Sequence, residues 1–219
     1  MLHIEFLVED ISGKRALDAI LPNLAGDFSY RVIAYKGIGR IPKGLKPSSD
    51  ASKRILLDQL PRLMQGYATS FKDDSDDYVR FVFIVCDLDD RVMVDFLKEI
   101  NNSINVCHPV PKYKICLAIE EGEAWLLGDQ RALLSAYPKA NKAILATYVQ
   151  DSICGTWEKL ADVVYPGGAK ALKKTNFVEI GRMKSVWADN IAPLVEKNRN
   201  ISPSFNFFVD AIVETTSNN

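Results

Sequence analysis

The side chains of this protein that could do chemistry are carboxylates gathered at the ends of short apolar runs. Glu9 and Asp10 follow Leu2–Val8, and Asp87, Asp89 and Asp90 follow Tyr78–Cys86. Glu120, Glu121 and Glu123 follow Lys114–Ile119. Clustered carboxylates repel one another and destabilise a fold unless a cation or a proton neutralises them. Oxygen donors of this kind suit Mg²⁺ or Mn²⁺. Taken one at a time, an Asp or Glu at such a place also serves as an ordinary helix cap.

Zinc chemistry has little material. The four cysteines, Cys86, Cys107, Cys116 and Cys154, form no C-x-x-C pair, and only His3 and His108 could join them. Structural zinc needs four closely spaced ligands. Cys86 and Cys116 lie in apolar runs and read as buried thiols of a reducing, cytoplasmic compartment.

The elements that must position the carboxylates follow from the hydrophobic pattern. Leu2–Val8, Phe28–Tyr35, Tyr78–Cys86 and Lys114–Ile119 read as strands. Tyr78–Cys86 is the most hydrophobic of them, which predicts burial on both faces and a central place in a mainly parallel sheet. Helices are expected from Ser12 to Leu24, with Gly26 as the stop, and over Asp50–Tyr67, capped by Ser48, Ser49 or Asp50, and Val92–Ile104. Lys36–Pro47 reads as a Gly-, Pro- and Lys-rich loop and Phe71–Asp77 as an acidic one. Beyond Ala124–Leu127 the pattern becomes helical: Arg131–Tyr137, Lys139–Tyr148, Thr156–Val164, Gly168–Lys174, Ile180–Asn198 and Pro203–Val213. The expectation is an α/β half, residues 1–129, with a helical half, 130–219, packed on it as one unit.

Composition agrees with a globular domain. The chain has 219 residues, 47% hydrophobic and 25% charged, with a formal net charge of -1. This excludes a disordered chain and a uniformly basic nucleic-acid binder. No apolar run approaches the ~20 residues of a membrane span, and the N-terminus lacks the pattern of an export signal. Charge is nonetheless uneven. Residues 31–54 carry seven Lys or Arg against one Asp, and residues 73–99 carry nine acids against three bases. That asymmetry fits a metal cleft beside a phosphate track, and equally two solvated faces.

A strand-end Glu with a second strand ending in Asp-x-Asp resembles the TOPRIM fold of topoisomerases, primases and overcoming-lysogenization-defect nucleases. The likeness is closer to a TOPRIM-related group, domain of unknown function family 4276, and it runs across nearly the whole chain. It is carried by Phe6-Leu7-Val8-Glu9, Val85-Cys86-Asp87-Leu88-Asp89 and Ile119-Glu120-Glu121-Gly122-Glu123-Ala124-Trp125-Leu126-Leu127-Gly128-Asp129. Gly155-Thr156-Trp157-Glu158-Lys159-Leu160, Lys184 with Trp187-Ala188, and Asn200-Ile201-Ser202-Pro203-Ser204-Phe205 continue it. The resemblance implies a TOPRIM-like, mainly parallel sheet of about four strands flanked by helices. It also implies that Asp87 and Asp89 hold Mg²⁺ or Mn²⁺, alternate positions of an extended turn aiming both at one ion. Glu9 would complete the ligand set or act as general base or acid. Glu120 and Glu123 would add a second metal position or fix the fold, while Trp125 and Leu126 read as core.

Two positions depart from the pattern. Asp10 stands where TOPRIM proteins usually have Gly, and Ser12-Gly13-Lys14 stands where many carry a second acid. Ser12, Gly13 and Lys14 could hold a phosphate at a helix start or simply form its N-cap. Lys36, Arg40 and Lys184 are further phosphate-binding candidates. The function implied is a metal-dependent phosphodiesterase or nuclease acting on nucleic acid, in a phage-defence or mobile-element system. No G-x-x-x-x-G-K-[ST] loop is present, so an ATPase would be a separate partner. The alternative, favoured by the missing second acid, is a catalytically degenerate TOPRIM-like binding or assembly module.

Overall fold

The structure, a computed structural model, describes residues 1–24, 26–36, 56–75 and 77–218. Strands β1 (Leu2–Val8), β2 (Phe28–Ala34), β3 (Val79–Asp87) and β4 (Tyr113–Ala118) form one sheet in the order β2-β1-β3-β4. All three pairings are parallel. The predicted α/β class and four-strand parallel sheet are therefore observed, and Tyr78–Cys86 is central, as its continuous hydrophobicity requires.

Alternation along the strands sorts the core into two layers. Ile4, Phe6, Val8, Phe83, Val85, Cys116 and Ala118 face α1 (Ile11–Ile20) and most of the later helices. Leu7, Val82, Ile84, Cys86 and Leu117 face α2 (Leu56–Phe71) and α3 (Met93–Ile104). From β1 the chain thus crosses to β2 by one face of the sheet, then reaches β3 and β4 by the other. The direction of winding reverses between β1 and β3, which is where an open parallel sheet leaves a crevice beyond its strand ends.

The second half supplies α4 (Glu123–Gly128), α5 (Gln130–Ala136), α6 (Lys142–Leu145), α7 (Thr156–Val164), α8 (Gly168–Leu172), α9 (Phe177–Ile191) and α10 (Pro203–Ser217). Several expected helices end early; the one expected over Ser12–Leu24 stops at Ile20, where Pro22 turns the chain into a 3-10 helix, Leu21–Asn23, ahead of Gly26. The helix predicted to reach Asn198 ends at Ile191, because Pro193 has no N–H to continue the ladder and forces a 3-10 turn over Ala192–Leu194. It begins earlier than predicted, where the Asn176 side chain accepts the Glu179 N–H at 2.9 Å. Lys139–Tyr148 contains only the single turn of α6. In α2, the contact of Tyr67 with Phe71 at 5.4 Å extends the last turn. The expected caps Ser48, Ser49 and Asp50, and most of the Lys36–Pro47 loop, lie outside the described residues. Among the described residues no helix is long and apolar enough to cross a membrane.

Residues Trp125 to Asp129 form a buried joint with the last part of the chain. Trp125 stacks on Phe208 at 4.9 Å and meets Phe205 edge-on, and its indole N–H donates to Ser204 Oγ at 2.9 Å. Asn200 Nδ2 donates to the Trp125 carbonyl at 2.8 Å, and its Oδ1 accepts the Ser202 N–H. Asp129, fully buried, accepts from the backbone N–H groups of Ala132 and Glu196 and pairs with Arg199 at 3.1 Å. One core therefore runs through both halves. A Cβ on Gly128 would stand 2.0 Å from Asn200 Oδ1 and 2.9 Å from Ser202 Cβ. Gly128→Ala should therefore displace Asn200 and lower stability by about 2–4 kcal/mol. Urea unfolding with an unchanged midpoint would show that the joint yields freely.

Candidate functional site

Val8 pairs with Val85 at the end of the β1–β3 ladder, so Glu9 and Asp87 emerge side by side at the point where winding reverses. Glu9 extends the ladder with its side chain: Oε2 accepts the Asp87 N–H at 3.2 Å. Both carboxylates line a cavity of about 50 Å³ together with Asp10, Ser12, Gly13, Glu123 and Lys184. That is room for a few waters or a partly hydrated ion. The walls are apolar, formed by Val8, Leu17, Val85, Trp125 and Leu126 among others.

Low polarity governs the electrostatics. Burial pushes Glu9 up to about 7; the Asp87 N–H opposes this, and Asp89 and Asp10 reinforce it. Burial, with Glu9 next to it, holds Asp87 well above the usual carboxylate range. Among the described residues no N–H or O–H donates to the Asp87 carboxylate, and the charge that opposes its shift is the Lys184 ammonium, beyond ion-pair distance.

Asp89 departs from the expected geometry. Leu88 N–H donates to the Ala118 carbonyl at 2.9 Å and Asp89 N–H to the Glu120 carbonyl at 2.8 Å, which ties the β3 and β4 exits together. Asp89 then turns into the left-handed region, φ 52°. The turn is not extended, so Asp87 and Asp89 do not alternate onto one ion. The Asp89 carboxylate instead pairs with Arg91 at 2.8 Å and does not line the cavity. The signal missed in the sequence was Arg91 itself, an opposite charge two residues away.

The acids after β4 divide into different roles. Glu120, φ 60°, turns towards the start of α7, where it accepts the N–H groups of Cys154 at 2.9 Å and Gly155 at 2.8 Å and the Thr156 hydroxyl. Partial burial acts against its charge, but these donors outweigh it and lower its pKa. Glu120 therefore fixes the fold and does not line the cavity. Glu121 accepts the Trp157 N–H at 2.9 Å and faces Lys184 at 3.6 Å. Burial pushes it up to about 7, against the pull of Lys184. Glu123 is buried with Lys184 Nζ 3.1 Å from its Oε2, an oxygen that receives no well-directed hydrogen bond. Burial disfavours the Lys184 charge, but Glu123, Glu121, Asp87 and Asp10 outweigh it and hold the ammonium pKa well above its ordinary value.

Of the phosphate-binding candidates, Lys184 is an internal counter-ion. Asp10 is the N-cap of α1: Oδ1 accepts the Gly13 N–H at 2.7 Å, and the Ser12 hydroxyl donates to the same carboxylate. Lys14 pairs with Asp18 at 2.8 Å, one helical turn on. Of the two readings of Ser12-Gly13-Lys14, the geometry is that of the N-cap, not a phosphate cradle. Lys36 is exposed after β2, away from the cavity, and Arg40 lies outside the described residues. Cys86 and Cys116 are free and buried, as expected from their apolar runs.

Two carboxylates, Glu9 and Asp87, therefore converge where three were expected; among the described residues neither has an ion-pair partner within 4 Å, and the Lys184 ammonium acts on both from further off. Among the described residues no group of three His, Cys, Asp or Glu side chains stands in a metal-ligating arrangement. Comparison with protein-family models, curated proteins and solved structures finds no match.

The electrostatics predict two pH dependences. A carboxyl whose pKa is raised by folding binds more protons in the native than in the unfolded state between its two pKa values, so stability falls as pH rises through that window. For Glu9 the window runs from 4.5 to about 7. In EDTA, Glu9→Gln should gain thermal stability relative to wild type as pH rises from about 5 to about 7. A constant difference over that range would contradict the assignment. Glu120 has the opposite sign: its lowered pKa gives stability that is present above the unfolded value of 4.5 and lost as pH falls through the folded value. Glu120→Gln should therefore lower the melting temperature at neutral pH and converge on wild type in acid; equal melting at pH 7 would remove Glu120 from this role.

Proposed function

We propose that this chain is a divalent-metal-dependent phosphodiesterase, a nuclease of TOPRIM type, with Mg²⁺ or Mn²⁺ as its ion. One observation carries the reading. Glu9 and Asp87 meet at the reversal point of a parallel sheet, in a small apolar-walled cavity, where burial raises the pKa of both despite the nearby Lys184 ammonium. The donor set fits a hard cation in two oxygens, with Asp89 one turn away and held by Arg91.

An ion bound there would polarise a phosphoryl oxygen and stabilise the charge that develops on it. Among the described residues Asp87 has no hydrogen-bond donor to give up, so it is the natural anchor. Glu9 keeps one oxygen on the Asp87 N–H, which leaves the other free to ligate the ion or to take a proton from water. Apolar walls exclude bulk water and strengthen both interactions. The substrate class we favour is nucleic acid, in a cytoplasmic phage-defence or mobile-element system with a separate ATPase. That part rests on the sequence resemblance and on free buried thiols that suit a reducing compartment.

A second reading has its own observation. Lys184 and Arg91 already neutralise Glu123 and Asp89 without a metal. This favours a degenerate TOPRIM-like module that binds or assembles without cleaving.

Calorimetry and cleavage assays separate the two. Wild type should bind Mn²⁺ weakly and Asp87→Asn should not. Glu9→Gln should lose at least ~100-fold in phosphodiester cleavage while staying folded. Full activity in Glu9→Gln would refute its role as base. A wild type that neither binds Mn²⁺ nor cleaves DNA, RNA or a small phosphodiester, with or without an ATPase partner, would leave the module reading.

A further inference from the structure

Glu9, Asp87 and Glu123 line the cavity, with Glu121 beside Lys184 at its edge, and the acids of the two sides are treated differently. On the β1–β3 side, among the described residues, Glu9 and Asp87 share one backbone N–H and have no ion-pair partner within 4 Å, Lys184 acting on them from further off. On the β4 side, Lys184 reaches in from α9 and places its ammonium 3.1 Å from Glu123 Oε2 and 3.6 Å from Glu121 Oε1. The Lys184 side chain is 15% exposed and Glu123 5%. Asp10 also lines the cavity, but its carboxylate is taken up by the cap of α1.

Two-metal sites need carboxylates on both sides, with ions ~3.5–4 Å apart. A second ion here would have to use Glu123, the remaining acid of the cavity. Mg²⁺ sits at about 2.0–2.1 Å from a ligating oxygen. The ammonium already stands 3.1 Å from Glu123 Oε2, so ion and ammonium would crowd one oxygen. Expelling Lys184 would strand its charge, because α9 is packed along α1 and the nearest other anions are those of the same cavity.

We infer that Lys184 occupies the place of a second cation, so that the cleft takes one divalent ion, at Glu9 and Asp87, and not two. The inference rests on the metal reading above and adds its stoichiometry. It also gives Glu123 a different role from that of a metal ligand: it anchors a lysine supplied by the helical half.

The test uses the full chain titrated with MnCl₂, followed by calorimetry and electron paramagnetic resonance. Wild type should take up one equivalent and give the spectrum of isolated Mn²⁺. Lys184→Met keeps the length of the side chain and removes the ammonium, so Glu121 and Glu123 are released and a second equivalent should bind. Lys184→Arg should remain at one. Two equivalents or a spin-coupled pair on the wild type would overturn the inference and leave the metal site standing. No binding to the wild type would overturn the site and the inference together. A folded Lys184→Met that takes up a single equivalent would also overturn the inference. Should that variant not fold, the wild-type and Lys184→Arg stoichiometries still decide.

Discussion

The structure depends on how negative charge is held at the carboxyl edge of the sheet. Glu9, Asp87, Glu121 and Glu123 stand around one ammonium, that of Lys184, in surroundings that disfavour every one of their charges. Carboxylates so placed would push the strand ends apart unless positive charge were brought to them. Among the described residues of the α/β half, Lys14 pairs with Asp18 and Arg91 with Asp89. The charge comes from α9, which makes the helical half a requirement of the site.

That dependence gives meaning to the joint around Trp125. The indole is wedged between the cavity and α10, and Asn200 and Asp129 tie the backbone on either side of it. If the joint shifted, α9 and Lys184 would shift with it. Residues that carry the sequence resemblance therefore divide into two sets. Trp125, Gly128, Asn200, Ser202 and Phe205 build the joint, while Glu9, Asp87, Glu123 and Lys184 face the cavity. A large share of the most specific motif residues is architecture, and the architecture holds a lysine against a carboxylate.

The acids themselves are used in three ways. Asp10 and Glu120 satisfy backbone N–H groups at the starts of α1 and α7, where the helix dipole favours negative charge. Glu121 and Glu123 hold Lys184. For Glu9 and Asp87 burial outweighs the Asp87 N–H and the Lys184 ammonium, and a proton or a metal ion can compete for them. The same apolar walls that raise their affinity for protons raise their affinity for a cation, so any metal binding here weakens as pH falls.

Local periodicity in the sequence is enough to locate the four strands, the central place of Tyr78–Cys86 and most of the helices, because burial on a strand or a helix face imposes a pattern on neighbouring residues. Proline, asparagine and aspartate then adjust the ends, as Pro193 and Asn176 do for α9. The strand-end acids are also legible as a group, and so is the core role of Trp125. What each acid does is not legible. Whether Asp89 points at an ion depends on a left-handed turn and on Arg91, and whether Glu120 is a ligand depends on where the start of α7 lands. Lys184, far along the chain and ambiguous as a phosphate binder, becomes a counter-ion only when α9 packs against α1. Charge–charge distances of a few ångströms are set by strand order and helix docking, which no pattern of neighbours along the chain encodes.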